Sequence, residues 1–161
     1  MFSVTSCTKK TTNTTVIADS VLYSKWVPLN LQLTTPVADS DYEQVISASA
    51  ITAQVLNTSA INVYGNYSGS GGTAIALVQD YYIYPTYTTG SIILDAFGSG
   101  ALVAQQYIDS VRYVIIPAKV AVTDANGNVQ TYSGQQLKNM DYGTLSKVLN
   151  IPSRGSNFKN N

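Results

Sequence analysis

The sequence predicts a mainly β protein, an antiparallel β-sandwich with a short helical turn and a C-terminal helix. Three observations predict it. Apolar and polar residues alternate along several short runs, the two-residue period of a strand with one buried face. Turn-forming breaks rich in glycine, asparagine and aspartate separate those runs. The period lengthens to a helical one only near Ile51 and in the last stretch before Pro152. At 161 residues the chain has the length of one domain, and 45% apolar residues can build a core without metals or disulfides.

Val21, Tyr23 and Trp26 lie in the β-prone run 20–26, and after Pro28 the residues Leu29, Leu31 and Leu33 alternate with Asn30 and Gln32. Residues 36–41 form a turn-rich break, and 42–48 return to strand. Ile51, Val55 and Leu56 fall on one side of a helical turn over 51–57. Over 60–67, Ile61 and Val63 take one face and Asn62, Tyr64 and Asn66 the other. The glycine-rich 68–72 reads as a hairpin loop. No Lys-Ser or Lys-Thr follows it, so it does not cradle phosphate.

Residues 73–79 pair back across that loop, 81–87 form a tyrosine-dense strand interrupted by Pro85, and 91–97 form another strand. Residues 98–100 read as a turn, and 101–107 show no clear period. Residues 111–116 are the most hydrophobic run, a central strand buried on both faces and closed by Pro117. The runs 120–123 and 128–132 flank Asp124-Ala125-Asn126-Gly127, in which Asn-Gly supplies the positive φ angles of a tight turn. Leu137, Met140, Leu145, Val148 and Leu149 are helically spaced, with Asp141 as N-cap of a helix over 142–149 that Pro152 stops. The sum is a sandwich of about seven to nine strands, with the C-terminal helix capping one end.

Before the first strand, Val4-Thr5-Ser6-Cys7 has the form of a lipobox, an aliphatic residue and two small ones before a cysteine. The thiol is the nucleophile that takes the lipid, and the small residues suit the peptidase that cuts before it. A polar stretch, Thr8-Lys9-Lys10-Thr11-Thr12-Asn13, follows and has nothing to bury. The expected organisation is a lipobox remnant and flexible tether over 1–18, one β-sandwich-like domain over 19–152 and a disordered tail over 153–161. Cys7 is then the lipid-attachment residue, with the membrane as partner and the cell envelope as address.

Charged residues make up only 11%, nine acidic against nine basic. Nucleic acid needs clustered lysine and arginine, and the largest cluster here is Lys9-Lys10, so nucleic acid is not an expected partner. There is no histidine. That removes Ser-His-Asp, Cys-His and histidine-ligated zinc sites, and the single cysteine removes any multi-thiolate one. No cofactor, metal site or catalytic residue is expected.

Most acids fall at turns, where aspartate satisfies backbone donors. Asp95 is the exception, inside the run 91–97, and reads as an outward-facing strand residue. Asp39-Ser40-Asp41 and Asp124 to Asn128 look like calcium loops but lack the closing glutamate, and read as turns. The 12 tyrosines exceed what the core requires. Tyr64, Tyr81, Tyr82, Tyr84 and Tyr87 form the candidate binding surface, because aromatic faces with phenolic hydroxyls suit sugars and protein partners. Strand alternation puts Tyr82 and Tyr84 on the same face.

Three segments and a closing stretch carry a family resemblance: Ser24-Lys25-Trp26, the run from Ala50 to Asn57 leading into Ile61-Asn62-Val63-Tyr64, and Val111 to Pro117, with Met140-Asp141-Tyr142 through Leu149-Asn150-Ile151-Pro152 at the end. Together they resemble a family of small uncharacterised Bacteroidetes envelope lipoproteins, departing from it at Ala118. The resemblance implies a β-sandwich-like envelope domain and no activity or catalytic residues. The expected function is a non-enzymatic envelope lipoprotein, a binding or structural module for a glycan or a protein. The alternatives are a carboxylate-dependent polysaccharide hydrolase and a structural subunit of an outer-membrane assembly.

Overall fold

Twelve strands pair antiparallel into three sheets among the described residues of a computed structural model, which are 15–16, 21–34, 41–69, 72–124 and 126–152. Cys7 and the polar stretch after it, the break at 36–40, the tip of the 68–72 loop and the tail 153–161 lie outside them. The middle layer is a five-stranded sheet of β2 (Leu22–Tyr23), β3 (Val27–Pro28), β10 (Ile108–Pro117), β6 (Ser59–Gly69) and β7 (Gly72–Leu77). A four-stranded sheet runs β4 (Gln32–Leu33), β5 (Asp41–Ala48), β9 (Gly90–Phe97), β8 (Ile83–Thr88). The third sheet joins β1 (Thr15–Val16), β11 (Lys119–Thr123) and β12 (Val129–Ser133). The expected β-sandwich-like architecture is therefore what the chain adopts.

Two cores explain the layering. In the first, Ile46, Ile92 and Leu94 of the four-stranded sheet meet Ile61, Val63 and Val111 of the five-stranded one. In the second, Tyr64, Val114 and Ile116 on the other face of the five-stranded sheet meet Leu137, Tyr142 and Leu145. These come from α3 (Gly134–Lys138) and α4 (Tyr142–Val148). Strand β10 supplies both cores, which is why 111–116 is apolar without alternation. The C-terminal helix covers this face of the middle sheet instead of an end of the sandwich, because Tyr142, Leu145 and Leu149 need an apolar face to bury against.

Three helical connections cross between the two main sheets. α1 (Ala53–Thr58) leads from β5 to β6, capped where the Thr52 side chain accepts from Val55 N at 3.2 Å. A 3₁₀ turn, Val78–Tyr81, leads from β7 to β8, so the tyrosine-dense segment is a turn followed by a strand that begins only at Ile83. α2 (Gly98–Tyr107) leads from β9 to β10, replacing the turn expected over 98–100. Its buried residues are Ala101 and Ala104, small side chains that let the helix lie close to the sheets.

Leu29, Leu31 and Leu33 do not share a buried face. Leu31 is sealed in the core while Leu33 is 50% exposed, because this stretch passes from β3 at the middle sheet to β4 at the edge of the other. The Gln44 side chain holds that passage, accepting from Asn30 N at 2.7 Å and donating to Pro28 O at 3.0 Å.

One buried cation ties the second core together. Arg112 is 3% exposed and donates to the Tyr142 hydroxyl at 2.8 Å and to Pro152 O at 2.7 Å. Its guanidinium lies 4.8 Å from the Trp26 ring centroid and 5.3 Å from that of Tyr23. Aromatic faces thus take the place of a carboxylate among the described residues.

Candidate functional site

The four-stranded sheet buries one face and leaves the other open. Along β9 the residues Ile92, Leu94 and Ala96 point into the core, so Ser91, Ile93, Asp95 and Phe97 point away from it. Register extends this outward set across the sheet. Gln32 pairs with Glu43, Glu43 with Asp95, and Asp95 with Tyr84, giving one row over four strands. The next row is Val45, Ile93 and Thr86. On the other side Asp41 is paired with Phe97. Strands β4, β5, β8 and β9 contain no lysine or arginine, so the face carries three acids and no base.

The aromatic part of this face stands at the corner where β9 enters α2. Tyr84 and Phe97 are 49% and 54% exposed, with ring centroids 6.0 Å apart. Tyr82 is 57% exposed and lies against the first turn of α2, where a Cβ added at Gly100 would come within 2.9 Å of the Tyr82 Cβ. Glycine is needed there so that this side chain can lie flat on the helix. Tyr82 itself sits at φ 63°, a left-handed conformation that bulky residues rarely adopt.

The five tyrosines of the expected surface do not form one platform. Tyr82 and Tyr84 are both exposed, but only Tyr84 lies on a strand; Tyr82 is the left-handed residue that ends the 3₁₀ turn before β8. Tyr64 is buried in the second core, its phenol raised above its ordinary range by burial. Tyr87 points inward and packs on the first core, and burial pushes its phenol up to about 12. Tyr81 is half-buried and stacks on Tyr67 at 5.2 Å, which in turn meets Tyr107 at 5.5 Å. Two-residue alternation separates inward Tyr87 from outward Tyr84, but it cannot show that a 3₁₀ turn carries Tyr81 to another part of the surface.

Phe97, Glu43 and Gln32 complete the face. For Phe97 and Glu43 the signal in the sequence is parity, an even number of residues from an outward neighbour in the strand. Gln32, in a two-residue strand, has no such neighbour, and only the pairing register reveals that the three meet. The Asp124 segment is a turn, as expected: its carboxylate accepts from Asn126 N at 2.8 Å and Asn128 N at 2.9 Å. The Asn128 side chain, the largest cause, and these backbone contacts hold the Asp124 carboxyl below its ordinary range. No cluster of metal-ligating side chains occurs among the described residues. No protein-family model, curated protein or solved structure matches this chain.

Proposed function

We propose that the protein is a non-enzymatic binding module of the cell envelope that takes a glycan on the open face of its four-stranded sheet. The observation that carries this reading is the row Gln32–Glu43–Asp95–Tyr84 beside Phe97. A sugar ring presents apolar C–H faces and a rim of hydroxyls. Exposed aromatic rings accept the former at low entropy cost, and carboxylate oxygens take charge-assisted hydrogen bonds from the latter. The envelope address and lipid anchorage rest on Cys7 and the small residues before it.

A second reading, carboxylate-dependent glycan hydrolysis, is favoured by one observation, the direct pairing of Glu43 with Asp95. Hydrolysis needs one of its two acids kept protonated, usually by an apolar enclosure. Both acids here are half-buried on the outward sheet face and not sealed in an apolar enclosure, which fits binding without turnover better.

The test is a glycan array probed with the full chain and with Tyr84→Ala. The wild type is expected to retain a restricted set of glycans, and Tyr84→Ala to lose at least about tenfold in signal, as removal of a stacking ring does. Bound glycans should be recovered at unchanged mass, and shortened products would favour the hydrolase. No retention of any glycan, or equal retention by the variant, would remove this reading of the face. An intact mass of protein made from its native gene should show a lipid on Cys7, and an unmodified thiol would remove the anchor.

A further inference from the structure

A separate cavity lies on the helix-covered side of the middle sheet, between the β6–β7 hairpin and the α3–α4 connection. Its volume is about 540 Å³, within the range of small-ligand sites. Asn62, Tyr64 and Tyr142 line its inner end, the two rings meeting edge to face at 4.8 Å. Ile75, Leu77 and Met140 supply apolar wall.

Asn62 is 4% exposed, yet its hydrogen bonds are only half made. Its side-chain nitrogen donates to the Tyr64 hydroxyl at 2.9 Å and to Lys138 O at 3.0 Å. The second contact fixes which atom is nitrogen, since a peptide oxygen can only accept. Among the described residues nothing donates to the Asn62 Oδ1. The Tyr64 hydroxyl accepts from Asn62, and no described acceptor takes its own proton. Burial keeps that proton in place well above neutral pH. The cavity therefore combines an unclaimed acceptor, an adjacent unclaimed donor and an apolar wall.

We propose that this cavity binds a secondary amide, presented as the acetamido group of an N-acetylated amino sugar. The amide N–H donates to Asn62 Oδ1, the amide carbonyl accepts from the Tyr64 hydroxyl, and the methyl packs against Leu77 and its apolar neighbours. A hydroxyl group could make both hydrogen bonds but would leave the apolar wall unused. This site shares no residue with the sheet face, so the two readings stand or fall separately.

The full chain is titrated calorimetrically with N-acetylglucosamine, glucose and N-acetylalanine N-methylamide. Saturable binding of N-acetylglucosamine is expected, with glucose about fourfold weaker, the loss of one methyl contact. Tyr64→Phe should weaken binding about tenfold. Asn139→Trp, an exposed position lining the cavity, should block it without touching the core. Val129→Ala, an exposed position that belongs to neither site, should bind as the wild type does. If the blocked amino acid binds and the sugar does not, the amide chemistry stands and the sugar assignment is overturned. Failure of both amides, glucose binding as tightly as the amide sugar, or full binding by Asn139→Trp overturns the site.

Discussion

Glu43 and Asp95 face each other across β5 and β9 with Tyr84 beside them and no base on any strand of that sheet. Two carboxylates directly opposite one another destabilise an antiparallel pair, by a few tenths of a kcal/mol up to about 1. A small cost of this kind is compatible with the binding role proposed for the face. Glu43→Gln is therefore expected to raise stability by about 0.2–1 kcal/mol in urea unfolding, with an unchanged slope, while weakening glycan retention. A lower midpoint would show that the carboxylate is stabilised by its surroundings. Tyr82 fits the same pattern. Its left-handed backbone costs about 1–2 kcal/mol, and what that conformation achieves is an exposed side chain laid against Gly100 of α2.

At the scale of elements, legibility followed periodicity. Strand β10 announced itself because an apolar run with no alternation can only be buried on both sides, and both cores do take residues from it. The β11–β12 hairpin was equally plain, since Gly127 adopts the φ of 84° that Asn-Gly implies. The α4 N-cap was as well, with Asp141 accepting from Thr144 N at 2.9 Å. Helix α2 was not legible, for a definite reason. Its buried stripe is alanine, while its larger apolar residues, Leu102 and Val103, face outward at 58% and 40% exposure. Size and burial run opposite to the usual correlation, so no amphipathic period survives. Helix α3 is a short turn set by the Ser133–Gln136 capping box, a signal too local to stand out. The candidate site was half visible. Alternation marked Tyr84 as outward, but Tyr82 lies in the turn before β8, and the meeting of Gln32, Glu43 and Asp95 depends on register between strands distant in sequence.

At the scale of the whole molecule, the absence of histidine and the burial of phenols set the pH response. Tyr64, Tyr87 and Tyr142 are all raised above the ordinary tyrosine range, in each case chiefly by burial. A group whose folded pKa lies above its unfolded one contributes stability that is complete below the unfolded pKa and lost as pH rises through the folded one. Stability is therefore expected to hold level from roughly pH 5 to 9 and to fall from about pH 10. That fall continues through the value of about 12 set by Tyr87. On the acid side, Asp124 and Asp141 have lowered pKa values, so their contribution goes as pH falls through the carboxylate range. Urea midpoints across pH check this, and a steep change between pH 6 and 8 would contradict it.

The layered arrangement also separates the two proposed binding surfaces, one on the outer face of the four-stranded sheet and one on the helix-covered face of the middle sheet. The open face is the central claim, and backbone amide shifts recorded while the full chain is titrated with soluble oligosaccharides test it most directly. Saturating shifts at Gln32, Glu43, Tyr84, Asp95 and Phe97, absent in Tyr84→Ala, are predicted. No shifts with any oligosaccharide, or shifts confined to other surfaces, would contradict the assignment.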